Sequence, residues 1–138
     1  MIVRRPARVA LAPACAALAV ALTACGGPAA DLFAVARSGS VPGADVTVIP
    51  SEDGTVRCNG HRHELPDPLV LTAENLADEI TTPASKRLRL RSGPHPVYTY
   101  VVDTPDGVFS YSDDSPHQSA VLEQLQAWVL KVVRTVCS

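Results

Sequence analysis

Residues 97–112 read VYTYVVDTPDGVFSYS, and this stretch decides the fold. The first run, 97–102, is β-branched and aromatic, the composition that suits a pleated, half-buried surface. Thr104-Pro105-Asp106-Gly107 supplies a turn signal, and the chain returns through 108–112 with Phe109 and Tyr111 on one face. Two such runs around a Gly-containing turn predict an antiparallel hairpin, and so a mainly antiparallel sheet.

C-terminal to the hairpin the period changes to that of a helix. Val121, Leu125, Trp128, Val132 and Val136 form one stripe, with Leu122, Val129 and Val133 beside it, which predicts a helix packed on the sheet. Ser115-Pro116-His117-Gln118 reads as its capping box, which places His117 in the first turn. Asp113 and Asp114 precede it, where a helix dipole favours negative charge. N-terminal to the hairpin, Leu69, Ala73, Leu76 and Ile80 predict a first helix, with Asp67 as cap, Pro68 at its first position and Thr82-Pro83 as its stop. Residues 86–91 (KRLRLR) then alternate, which predicts an edge strand or an extended connector.

Earlier still, 32–37, 45–49 and 55–59 read as strands, the last two joined by the Ser51-Glu52-Asp53-Gly54 turn. The expected fold class is therefore α+β: a mainly antiparallel sheet of about five or six strands with two helices packed on one face.

The N-terminus carries a different signal. Arg4, Arg5 and Arg8 precede an uncharged apolar stretch, 9–22, followed by Leu22-Thr23-Ala24-Cys25. A basic segment, a short apolar segment and small residues at a cleavage point describe a secretory signal, and the stretch is too short to span a bilayer. Leu-Thr-Ala-Cys resembles the lipobox of bacterial lipoproteins, whose cysteine takes a diacylglyceryl group and becomes the mature N-terminus. This resemblance implies a signal peptide over 1–24, a lipidated N-terminus and spacer over 25–30 with palmitate-type acyl chains on Cys25, and a single domain over 31–138. The alternative is an ordinary signal cut near Ala24 that leaves the Cys25 thiol free. Without Arg4, Arg5 and Arg8 nine basic residues face 14 acids, a net charge of −5. Such a domain is unsuited to nucleic acid, where affinity comes from neutralising phosphates.

Cys15 lies in the apolar segment, so only Cys58 and Cys137 remain for an exported, oxidising setting. They predict one structural disulfide, the alternatives being two free thiols or an intermolecular bridge. The loop such a bridge closes is long, and constraining it in the unfolded chain contributes up to about 4.5 kcal/mol.

Three groups are candidates for chemistry. Cys58, His61, His63 and Glu64 have metal-ligating side chains, but their spacing matches no closed zinc motif, and a disulfide takes the Cys58 thiolate away. His61 and His63 are read as decorating a polar loop, so no metal and no cofactor is expected. Ser115, His117 and Asp114 offer triad residue types, yet neighbours on one segment seldom meet triad geometry; no catalytic residue is assigned and the chain is read as a non-enzyme. Arg87, Arg89 and Arg91 are a possible contact surface for an acidic partner or lipid headgroups, against the plainer reading of a solvated strand face.

The segments 31–39, 54–60 and 65–68 resemble small exported proteins of high-GC bacteria. More distantly, the chain is similar to emfourin, the proteinaceous inhibitor of thermolysin-like metalloproteases: an opening strand ending Arg37-Ser38-Gly39, a middle helix, the strand Val97-Tyr98-Thr99-Tyr100, Asp106-Gly107, and a closing Leu-rich helix. The lipid anchor and the cysteine pair depart from that pattern. The resemblance implies an inhibitor-like scaffold; with the lipobox reading, the expectation is a membrane-anchored, extracytoplasmic, non-enzymatic module that binds another protein. The alternatives are a metal-dependent or hydrolytic enzyme using His61 and His63, and a small-ligand-binding lipoprotein. Substitution Cys25→Ala should move the protein from the membrane fraction to the medium, read by immunoblot of the two; unchanged membrane association contradicts the anchor.

Overall fold

The computed structural model describes residues 27–138. The leader read over 1–24 and the candidate lipidation site Cys25 lie outside the described residues. The elements run β1 (Ala34–Gly39), β2 (Val46–Pro50), β3 (Thr55–Cys58), β4 (His61–Glu64), α1 (Asp67–Glu79), α2 (Thr81–Ser85), β5 (Tyr98–Thr104), β6 (Gly107–Ser112) and α3 (Ala120–Thr135). The strands form one six-stranded sheet in the order β4-β3-β2-β1-β5-β6, with every neighbouring pair antiparallel. The α+β class, the antiparallel sheet and the packed helices are as the sequence predicts, with α2 as a third, short helix.

Alternation along the strands makes the sheet one-sided. Phe33, Val35, Val48, Val56, Val102, Phe109 and Tyr111 are buried under the helices, while Ala36, Val101, Asp103 and Val108 face solvent on the other side. Leu69, Ala73 and Leu76 of α1, with Leu122, Leu125, Trp128, Val129 and Val132 of α3, fill the layer above. The indole of Trp128 holds the two helices to each other and to the sheet. Its Nε1–H donates to the Leu69 carbonyl at 3.0 Å, and its ring meets Phe33 edge-on at 5.6 Å.

α3 crosses the sheet from one side to the other. Near its start the Tyr111 hydroxyl of edge strand β6 donates to the Leu122 carbonyl at 3.0 Å. Just beyond its end, Cys137 is bonded to Cys58 of β3, with the Cα atoms 5.6 Å apart. The predicted intrachain disulfide is therefore present, within the Cα separation such bonds need.

Four local expectations are corrected. His61 and His63 do not sit in a polar loop but on strand β4. The reason is Asn59-Gly60, whose φ values of 49° and 84° make the two-residue left-handed turn that matches strand twist. The box at Ser115-Gln118 does not cap α3, which starts at Ala120 after Ser119. His117 has φ of 61°, outside the helical region, so it is not in a first helical turn. Asp67 is not a cap either: Pro66 precedes the first helical residue and no side chain caps α1. Thr82-Pro83 does not stop α1 but lies in the opening turn of α2, where a missing N–H breaks no helical bond. Of the extended connector expected over 86–91, residues 88–90 are extended, while Lys86 closes α2 and Arg87 turns with φ of 51°. Residues 88–90 lie parallel along the outer edge of β6, with Leu90 N–H donating to Ser110 O and Ser110 N–H to Leu88 O.

Two stacked tyrosines at the heart of the layer, Tyr100 and Tyr111, have ring centres 5.1 Å apart and contrasting hydroxyls. That of Tyr111 is bonded, while that of Tyr100 is buried without a partner, and burial pushes the Tyr100 phenol up to about 12. Because a buried unpaired polar group is a cost and a paired one a gain, Tyr111→Phe should lower unfolding free energy by about 1 kcal/mol and Tyr100→Phe should leave it unchanged or raise it. Equilibrium denaturation measures both; equal losses for the pair would contradict these hydroxyl assignments.

Candidate functional site

The strands end together. Gly39 of β1, Tyr98 of β5, Ser112 of β6, Val46 of β2, Cys58 of β3 and His61 of β4 all lie at the end of the sheet opposite Ala34. The loops 40–45, 59–60, 92–97 and 113–119 therefore cluster at one tip.

Arg37 fixes the first of these loops from below. It is on the helix-facing side of β1, paired with Tyr100 and Val46, and only 5% exposed. Its Nε donates to Ala44 O at 2.9 Å and its Nη2 to Gly43 O at 3.2 Å, and the guanidinium lies 4.5 Å from the centre of the Tyr98 ring. Charge-assisted bonds and a cation–π contact together hold a cation that the buried layer would otherwise reject. Within the loop Ala44 N–H donates to Val41 O at 3.1 Å, and Gly39 N–H to the Asp45 carboxylate at 3.4 Å.

Asp113 and Asp114 fix the second loop. Asp114 accepts from Gly93 N–H at 2.9 Å and from His95 N–H at 2.7 Å. Asp113 accepts from Val97 N–H at 3.0 Å and Tyr98 N–H at 3.2 Å. Gln118, freed from any capping role, donates to the carbonyls of Ser112 and Asp113 and holds the acidic pair in place. The two loops join where Ser40 N–H donates to Val97 O at 3.3 Å. Gly39 permits this approach, because a Cβ there would collide with the Val97 carbonyl oxygen. Val41 and Val97 emerge from the joined loops 39% and 38% exposed, flanked by exposed Pro42 and Pro96.

Two concavities flank this tip. One, of about 530 Å³, is polar and lined by Asp113, Asp114, Ser115, His117 and Glu123 among others. It does not assemble a triad: Ser115 Oγ accepts from Ser112 N–H, the Asp114 carboxylate is taken by the two backbone amides, and no hydrogen bond joins His117 to either. The other, of about 790 Å³, opens beside the disulfide and is lined by Cys58, His61, His63 and Cys137 together with loop residues. Cys58, His61 and His63 are thus brought together, whereas Glu64 points to the opposite face. In this structure, where Cys58 and Cys137 are bonded to each other, no group of three or more His, Cys, Asp or Glu among the described residues is placed to hold a metal ion.

Arg87, Arg89 and Arg91 are exposed, as an outward-facing row would be. Arg87 and Arg89 border a shallow depression of about 250 Å³ with Gly107 and Val108, and Arg91 stands apart from it. At the other end of the sheet, exposed pairs Arg57–Asp31 and Arg62–Asp53, each at 2.8 Å, contribute little to stability. The Arg57 guanidinium holds the Asp31 carboxyl below its usual range, and the Thr55 hydroxyl does the same for Asp53.

Sequence reasoning missed the joined loops. The signal was present in Ser38-Gly39-Ser40-Val41-Pro42-Gly43, a valine set among turn formers, but nothing local linked it to Val97. Comparison of the chain with protein-family models, curated proteins and solved structures finds no match. Function is accordingly argued from the geometry. Removing one clamp should loosen one loop alone: Asp114→Ala should speed amide exchange at Gly93 and His95 about tenfold or more, for a global loss of about 1–3 kcal/mol. Unchanged exchange at both amides would show that the loop is not held by this carboxylate.

Proposed function

We propose that the chain is a lipid-anchored extracytoplasmic protein whose folded domain is a non-enzymatic binding module for another exported protein, built on an inhibitor-like scaffold. The observation that carries this reading is the tip formed by loops 40–45 and 92–97, which present Val41 and Val97 on backbone already fixed by Arg37, Asp113 and Asp114. Preorganised loops lose little freedom on binding, so the apolar contact they make is retained as affinity. Exposed apolar side chains on rigid protrusions are also how a small domain engages a concave partner.

The tether favours the same end. Glu52 N–H donates to Ala30 O, and Asp31 pairs with Ser51, so the domain begins within five residues of Cys25. Five residues span at most about 18 Å, which keeps the start of β1 near the lipid surface. That near end carries Asp31, Glu52, Asp53, Asp103 and Asp106 together with Arg57 and Arg62, which pair with Asp31 and Asp53, and with Arg87 and Arg89 beside Gly107. The short tether keeps this end toward the membrane, which leaves the opposite tip directed outward. An acidic domain gains no membrane affinity from charge, which leaves retention to the covalent lipid. The Arg87, Arg89 and Arg91 row is a secondary contact candidate for an acidic partner.

The two loops are tested by Val41→Asp combined with Val97→Asp, both at exposed sites that the core does not use. Pulldown from cell-wall fractions with the detergent-extracted full chain should enrich a protein that binds the wild type directly once purified. Its affinity for the double variant should fall about a hundredfold, as for loss of a small hot spot. No direct binder, or one that binds both proteins equally, would overturn the assignment to this tip.

A further inference from the structure

The cleft beside the disulfide gathers metal-ligand chemistry that the oxidised chain does not use. Cys58 and His61 flank the two-residue turn at Asn59-Gly60 and are direct cross-strand partners. Residues paired in this way stand about 5 Å apart at Cβ and share one face. His63 pairs with Val56 and so belongs to that same face. Cys137 arrives from the end of α3 and is already bonded to Cys58. All four line one cleft of about 790 Å³. His61 is exposed, His63 and Cys137 are partly exposed, and the cleft is open to solvent and its solutes.

We propose that the Cys58–Cys137 disulfide is the oxidised state of a zinc site: once it is reduced, Cys58, Cys137, His61 and His63 hold one Zn²⁺ as two thiolates and two neutral imidazoles. Two sulfurs and two nitrogens in tetrahedral array are the donor set that zinc takes in structural sites. In the oxidised chain each sulfur is committed to the other, and only a thiolate ligates a metal, so disulfide and zinc exclude each other. The chemistry balances with a dithiol reductant. The S–S bond breaks and takes two electrons and two protons from the dithiol, which closes to its own disulfide. Zn²⁺ then displaces the two protons from the thiols, with no change in its oxidation state. A disulfide oxidant reverses the sequence: it takes two electrons from the thiolates and two protons from water to become a dithiol, the Cys58–Cys137 bond re-forms and the ion is released. The metal would replace the disulfide as the tie between the end of α3 and β3, so the helix stays fixed in both redox states. This inference is independent of the docking role of Val41 and Val97, which lie on other loops.

The test is zinc titration of the full chain, metal-free, with and without prior treatment by a dithiol that is removed before titration. A competing chromophoric chelator reads the affinity. The reduced chain should bind one Zn²⁺ about a hundredfold or more tighter than the oxidised chain. The same chain loaded with Co²⁺ should show the intense visible bands of tetrahedral coordination together with thiolate-to-metal charge transfer. Substitution His61→Ala with His63→Ala leaves the disulfide and the core intact and should weaken zinc binding by the reduced chain about a hundredfold or more, since even outer-shell partners of a metal ligand are worth ten- to a hundredfold. Equal affinity of the oxidised and reduced chains, an octahedral Co²⁺ spectrum, or undiminished binding by the histidine variant would each overturn the site.

Discussion

A sheet with one apolar face must be covered along its whole width, and in this chain one helix does most of that work while being held at both ends. α3 is tied to edge strand β6 through the Tyr111 hydroxyl and to β3 through Cys137–Cys58. Between the ties, Leu122, Leu125, Trp128, Val129 and Val132 lie over the buried strand positions. The bridge joins residues 79 apart in sequence, so it restricts most of the unfolded chain as well as fixing the folded one. The domain builds its own hydrophobic core, and a staple of this kind adds to the stability that the core supplies.

That constraint has consequences at the tip. With α3 fixed across the sheet, the strand ends form a stable base from which loops 40–45 and 92–97 project. Arg37 reaches the first loop from within the buried layer, and Asp113 and Asp114 reach the second from the segment leading into α3. The loops are therefore held by groups whose own positions depend on the packed layer beneath. The opposite face of the sheet stays open, with small or half-exposed residues such as Ala36, Thr47, Thr99 and Ser110, and the connector 88–90 covers one of its edges.

What the sequence made legible follows physical range. Alternation and helical stripes are short-range signals, and they located β1, β2, β3, β5, β6, α1 and the body of α3. The cysteine pair was legible because reading Cys15 as leader and Cys25 as anchor leaves one intrachain choice among the four cysteines. The misreadings occurred where two local signals competed. Asn59-Gly60 is a strong hairpin turn, but the His61-Arg62-His63-Glu64 run after it has the polar composition of a loop, so β4 has no strand signal of its own. Ser115 and Gln118 have the spacing of a capping box, and tertiary bonds to Ser112 and Asp113 claimed them instead. The candidate site was the least legible part: the Arg37 contact with Ala44 and the Asp114 contact with Gly93 are long-range pairings that no periodicity encodes. Cys25 is a reading of sequence alone, since it lies outside the described residues.

The most direct test of this account is native-state amide exchange along α3 in the full chain, with the Cys58–Cys137 bridge intact and after its reduction in the presence of a chelator. Breaking the bridge should release the helix from its C-terminal end. Exchange should quicken at Val132, Val133 and Val136, while Leu122, next to the Tyr111 tie, keeps its protection relative to the rest of the core. A helix whose protection is the same in both states, or falls evenly from end to end, would contradict the claim that this bond anchors α3 across the sheet.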